Sequence, residues 1–227
     1  YFISHAHLDH LSGLVMNSPN DSNKYIYAVP EVISILKTHY FTWKSWANFS
    51  NEGEAPALKK YQYVPLRPLV DIPVHGTKLS VTAFPLCHSN PYESTAFLVN
   101  NAGNQLLYLG DTGPDSIEHC NRLQDLWKAV AGQIRSHQLK GIFIELSFPD
   151  EQPDQQLFGH LTPRWLMQEL QTLATLVGVS NLQQVKIFIT HIKPGGQAEE
   201  RIRQQLKKRN TLGLQFYFPR QGERIQL

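Results

Sequence analysis

Three histidines and one aspartate fall within six positions in Ser4-His5-Ala6-His7-Leu8-Asp9-His10-Leu11-Ser12-Gly13, directly after the apolar-aromatic run Tyr1-Phe2-Ile3. A short apolar run reads as a buried strand. Side chains alternate faces in an extended segment, so His5 and His7 should point the same way. Asp9 and His10 follow where the chain is expected to turn, before Gly13. Imidazole and carboxylate donors suit Zn²⁺ and similar divalent first-row metals. The competing explanation is a chance cluster of surface histidines. With only 10 His in 227 residues, random placement does not favour three of them in six positions.

The length of 227 residues suits one sizeable α/β domain with an ample core, and no linker or repeat interrupts it, so residues 1–227 are expected to form a single domain. Hydrophobic content of 41% and charged content of 18% carry no disorder signature. A net charge of +2 argues against a large nucleic-acid surface and leaves room for a small anionic substrate. No apolar stretch approaches the ~20 residues of a membrane span. Cys87 and Cys120 supply neither a disulfide framework nor a Cys-x-x-Cys motif, and Cys87 reads as a small buried hydrophobe. The chain begins with Tyr inside a presumed strand, which suggests an N-terminally truncated chain. That leaves the compartment, cytoplasm or periplasm, open.

Along the chain, Leu11 to Met16 reads as a short helix ending in the turn formers from Asn17 to Asn23. Tyr25 to Val29 reads as a strand, and Pro30 opens a helix. The aromatics from Tyr40 to Phe49 recur at roughly helical spacing, as a core face or as a wall over a ligand pocket. Asn51 to Lys60 is a polar loop. Lys78 to Phe84 alternates as a strand, and Thr95–Val99 and Gln105–Leu109 flank a hairpin turn. Pro114 opens a helix expected to run through Leu123, Leu126, Trp127, Val130 and Ile134. Gly141 to Glu145 and Val185 to Ile189 are buried strands, and Leu214 to Phe218 is a terminal one. Thr162 is an expected N-cap with Pro163 at the first helical position. Glu199-Glu200 early and Lys207-Lys208-Arg209 late mark a last helix with a solvated basic end.

A regularity emerges. His5, His7, His88, Asp111, Glu145 and His191 each stand just after an apolar strand, and His160 stands before a helix. Strand ends are where loops converge to build a site in layered α/β folds. The order His5-x-His7-x-Asp9-His10, His88, Asp111, His191 resembles the binuclear metal signature of the metallo-β-lactamase superfamily. The longer string from His5 to Pro19 is similar to the signature of the class-II cyclic nucleotide phosphodiesterases. Gly110-Asp111-Thr112-Gly113, Gly159-His160-Leu161-Thr162-Pro163 and Thr190-His191-Ile192-Lys193-Pro194 fit the same family.

The resemblance implies a four-layer αββα sandwich, here without its leading strands. It implies that His5, His7 and His88 hold one metal, that Asp9, His10 and His191 hold a second, and that Asp111 bridges them. Two divalent ions are then expected, zinc first, with manganese and iron chemically admissible. They would attract a phosphodiester and acidify a bridging water. The implied reaction opens a 3′,5′-cyclic nucleotide, cAMP with cGMP as second candidate, to the 5′-monophosphate. Asp9, Glu145 and His160 are the expected catalytic residues. His160 would contact the phosphate or protonate the leaving oxygen, and Glu145 would orient it. Alternatives are a tRNA 3′-processing nuclease, a thioester hydrolase, or an inactive nucleotide-binding member. The acidic run Asp150, Glu151 and Asp154 speaks against the nuclease. Ser89 and Lys193 are within conceivable reach of substrate. Of the remaining histidines, His39, His75, His119 and His137 are expected to be ordinary. The expected partner is the small-molecule substrate, not nucleic acid or membrane, with a homodimer as one admissible assembly.

Overall fold

Alternating apolar runs become strands, and runs opened by proline become helices, in the computed structural model, which describes residues 1–21 and 23–227. Ser22, in the turn-former run, lies outside the described residues. By contact density the chain parts into two units, Tyr1–Ala83 and Phe84–Leu227.

In the first unit, strand β1 (Lys24–Ala28) pairs in parallel with β2 (Tyr61–Pro65). Tyr1-Phe2-Ile3 joins β1 only through the Phe2↔Tyr27 bridge, with Ile3 N donating to Tyr27 O at 3.0 Å. Helix α1 spans Leu8–Asn17 and has His7 as its N-cap, so Asp9 and His10 lie in its first turn. The turn expected there is replaced by an earlier helix start. Leu11 and Leu14 face inward and the polar ligand candidates occupy the N-terminal end. Helix α2 (Pro30–Ile35) has Pro at its first position, as the pyrrolidine ring allows. It runs into a π-helical turn, Leu36–Tyr40.

The aromatic run after Tyr40 is not a helix. Phe41 and Phe49 are buried, whereas Trp43 is exposed with φ 60° and donates its indole N–H to Pro56 O. Helical spacing of aromatics misled because these rings fill the core from irregular backbone. Strand β3 (Asp71–Pro73) lies antiparallel on the first half of β4 (Leu79–Cys87), which carries the chain into the second unit.

The second unit continues from β4 through β5 (Glu93–Asn101), β6 (Asn104–Leu109), β7 (Leu139–Glu145), β8 (Lys186–Thr190) and β9 (Phe216–Tyr217), neighbours in sequence order. β5 and β6 form the expected hairpin. Its two loop residues, Ala102 and Gly103, have φ 50° and 90°, as the tight primed turns require. From β6 to β9 every pairing is parallel, so each link crosses over through helix. The crossovers carry α3 (Asp115–Glu118) and α4 (Arg122–Arg135), then α5 (Pro163–Val177) and α6 (Val179–Leu182), then α7 (Ala198–Arg209).

The single helix expected after Pro114 is in fact two. His119 adopts φ 54° and ends α3, and the Asp115 carboxylate accepts from Leu123 N and Gln124 N at the start of α4. Cys120, in the break, forms a disulfide with Cys87. This corrects the reading of Cys87 as a small hydrophobe and of two cysteines without a framework. Spacing 33 residues apart says nothing about proximity across a crossover. Thr162 does sit at the N-cap of α5, but its side chain makes no capping bond. Leu123, Leu126, Trp127, Val130 and Ile134 of α4 meet Leu166, Leu170 and Leu173 of α5 over the strand residues Leu107, Ile142 and Ile187.

Candidate metal centre

Parallel strands end at one edge, and β6, β7 and β8 deliver Asp111, Glu145 and His191 to that edge. The end of β4 reaches it too. Gly113 N donates to Cys87 O at 3.1 Å, which brings His88 beside the Asp111 loop. This is the carboxyl-end location where open α/β sheets build sites.

Asp111 is buried and its two oxygens face different imidazoles. Oδ2 lies 3.9 Å from His88 Nε2 and 3.9 Å from His160 Nδ1, and Oδ1 lies 3.4 Å from His191 Nδ1. Such a carboxylate offers one oxygen to each side. His88 Nδ1 lies 2.8 Å from Gly159 O, a carbonyl that can only accept, so Nδ1 carries the proton and Nε2 keeps its lone pair. Fixing the tautomer of an imidazole ligand through its other nitrogen is the usual second layer of a metal site. Two groupings of donor atoms lie within 4.8 Å in this unit: His88, Asp111 and His160, and Glu145, His160 and His191. His191 itself has φ 56°, the left-handed conformation that a non-glycine residue adopts at a cost.

Glu145 is 1% exposed and both its oxygens are used. Oε1 lies 3.1 Å from His160 Nδ1 and accepts from Leu161 N at 3.0 Å, and Oε2 accepts from Ser147 Oγ at 2.8 Å. Burial pushes the Glu145 carboxyl up, while the His160 hydrogen bond and charge pull it down. The His160 ring is buried, 5.3 Å from the His191 ring and edge-on to Phe148 at 5.7 Å. Ser147 was not singled out from sequence. Its hydroxyl lies 3.1 Å from His191 Nδ1 while it donates to Glu145, which couples the carboxylate to the imidazole. The only sequence signal for it is its place two residues after Glu145. Lys193 Nζ stands 3.5 Å from His191 Nε2.

In the first unit, the His5, His7 and His10 rings cluster. The His5 centroid lies 4.6 Å from that of His7 and 4.2 Å from that of His10. His5 is buried with Ser4 Oγ 3.1 Å from its Nδ1, and the Asp9 carboxylate lies 3.8 Å from His10 Nε2. The Tyr40 hydroxyl donates to Ala6 O at 3.0 Å and pins the backbone between His5 and His7. Burial, then the Asp9 charge, raises the pKa of that phenol. His75, expected to be ordinary, stacks on Tyr25 at 4.4 Å.

In the second unit His88, Asp111 and His191, with carbonyl and hydroxyl partners, offer imidazole and carboxylate donors of the kind that fits divalent metal ions, and His5, His7, Asp9 and His10 offer the same donor types in the first. Among the described residues no helix is long and apolar enough to cross a membrane.

The sequence model for cAMP phosphodiesterases class-II matches residues 1–222. A 3′,5′-cyclic-nucleotide phosphodiesterase of Aliivibrio fischeri is 44% identical over 230 residues, covering 100% of this chain and 70% of the relative. The crystal structure of unliganded yeast PDE1 superposes with a TM-score of 0.86 at 29% identity, covering 96% of this chain and 66% of that one. The chain thus spans about two thirds of the length of these relatives. A metallo-β-lactamase fold protein of Bacillus subtilis, YhfI, superposes with a TM-score of 0.63 at 14% identity over 96% of this chain and 73% of that one, a likeness of fold alone. The α/β metallo-β-lactamase fold implied by the order of His5, His7, Asp9, His10, His88, Asp111 and His191 is therefore the fold this chain has, and the chain belongs, as the His5–Pro19 string implies, to the class-II cAMP phosphodiesterases.

Proposed function

We propose that this chain hydrolyses 3′,5′-cyclic nucleotides to nucleoside 5′-monophosphates at a centre of two divalent metal ions, zinc first among the candidates. The observation that carries the reading is Asp111, a buried carboxylate whose two oxygens face different imidazoles. In this proposal residues 1–227 act as one hydrolase domain. His5, His7 and His88 hold one ion, Asp9, His10 and His191 hold the other, and Asp111 is shared.

When bound, the ions supply Lewis-acid charge for phosphoryl transfer and acidify water. The protein does the rest by positioning. Gly159 O keeps the proton on His88 Nδ1 and so presents Nε2 as a ligand. Glu145 accepts the His160 Nδ1–H, which leaves His160 Nε2 for substrate. The water oxygen bonds to phosphorus and releases a proton, the bond from phosphorus to the ribose 3′-oxygen breaks, His160 Nε2 delivers a proton to that oxygen, and the proton released by water restores His160 for the next turnover. Asp9 is grouped with the catalytic residues because it lies beside His10 at the start of α1.

The test is turnover on cAMP, cGMP and a linear phosphodiester, with metal analysis of the same sample. Cleavage of the cyclic substrates with loss of activity in chelator is expected. Cleavage of the linear diester alone overturns the substrate assignment. His160→Ala should retain metal and lose about 10²- to 10⁴-fold in kcat, whereas His5→Ala should lose metal and activity together. A fully active His160→Ala enzyme removes the acid from the mechanism.

A further inference from the structure

A cleft of about 360 Å³ opens in the second unit beside the His88–Gly159 contact, within the size range of small-molecule sites. We propose that it is the nucleobase subsite, with Phe158 as its stacking platform. The proposal rests on the cyclic-nucleotide reading above.

Three observations converge. The first is adjacency. Ser89 and Gly159 line the cleft, and the same two residues enclose His88, since Gly159 O meets His88 Nδ1 at 2.8 Å. The cleft thus lies against the loop that holds His88, and its lining residues Phe158 and Gly159 lead directly into His160, the residue assigned to the leaving oxygen.

The second is Phe158. Its ring is 65% exposed at the wall of the cleft, and its backbone has φ 51°, a conformation costly for a bulky side chain. Ser89 and His119, also in the lining, share positive φ, at 52° and 54°. An aromatic side chain held outward by strained backbone gains nothing from packing. Stacking against a flat base would offset both its exposure and its strain.

The third is polarity. Among the described residues lining the cleft there is no Lys or Arg. The carboxylates there are already engaged, Glu118 by Asn90 N at 3.1 Å and Asp154 by the Trp165 indole at 2.8 Å. A phosphate is disfavoured in such a lining and a neutral base is not. The exposed amides of Asn90 and Gln155 supply both donors and acceptors for base edges.

The experiment compares the protein with its Phe158→Ala and Phe158→Tyr variants. The substrates are cAMP and the cyclic ribose 3′,5′-phosphate that lacks a base, and adenosine binding to the metal-free protein is measured by equilibrium dialysis. Phe158→Ala should lower the ratio of kcat/KM for cAMP over the abasic substrate on the order of tenfold, the usual worth of one base–aromatic stack. The effect should fall on KM rather than kcat, adenosine affinity should weaken by a similar factor, and Phe158→Tyr should restore both. An unchanged ratio, or equal losses on both substrates, overturns the subsite while leaving the reaction intact. A wild-type enzyme that is inert to cyclic nucleotides overturns the reaction and the subsite together.

Discussion

Gly159 stands where no side chain fits. With φ 75°, a Cβ built on it would come within 2.3 Å of Ser89 N and 2.5 Å of His88 Nδ1. The absent side chain is what lets the Gly159 carbonyl reach His88. Gly159→Ala should therefore push His88 out of register and cut metal affinity about 10- to 100-fold, the usual cost of losing an outer partner of a ligand. Metal content after dialysis against a graded chelator checks this, and unchanged affinity would mean that the carbonyl contact is incidental. The string Gly159-His160-Leu161-Thr162-Pro163 is visible in the sequence, but it points to His160. The need for glycine comes from a contact across 71 residues of chain. Ser147 is hidden for the same reason, because its partners Glu145 and His191 meet only where β7 and β8 end side by side.

The helices show where periodicity succeeds and where it stops. Apolar spacing places Leu123, Leu126, Trp127, Val130 and Ile134 on the buried face of α4, where they lie in the structure. It cannot see the break before α4, which His119 and the Asp115 carboxylate create. Between α4 and α5, the Trp127 indole donates to Glu169 Oε2 at 3.0 Å in a buried contact. Burial raises the Glu169 carboxyl above its ordinary 4.5, and the Trp127 bond only partly opposes this. A carboxyl whose pKa is raised by folding favours the folded state below its unfolded pKa. That contribution is lost as pH rises through the folded value. Glu169→Gln keeps an oxygen for the indole and cannot ionise. Its Tm should therefore gain on wild type as pH rises from about 4 to 8, with little difference at the acid end. Thermal scans across that range check it, and a gap that narrows with pH contradicts it. Trp127→Ala should cost about 3–5 kcal/mol by leaving a cavity at the centre of this packing.

At the scale of the molecule, the Cys87–Cys120 disulfide ties the end of β4, next to His88, to the break before α4. Closing a loop of 33 residues restricts the unfolded chain by about 3–4 kcal/mol. The Cys87→Ser/Cys120→Ser double variant should accordingly unfold at lower denaturant with that loss. An unchanged midpoint would show that the bond adds no net stability.

The candidate ligands were legible as a pattern in one dimension. Imidazoles and carboxylates just after apolar runs can be listed as His5, His7, His88, Asp111, Glu145 and His191 because strand periodicity and residue type are local properties. The parallel order of β6, β7 and β8 turns three of that list, Asp111, Glu145 and His191, into a shared edge. The tertiary structure alone decided which oxygen of Asp111 faces which imidazole, which carbonyl holds His88, where the helix after Pro114 breaks, and that two cysteines meet. Each of these depends on close approach between segments tens of residues apart. Chain sequence encodes such approaches only through the packing of the whole core, and hydrophobic spacing within a single element carries no record of them.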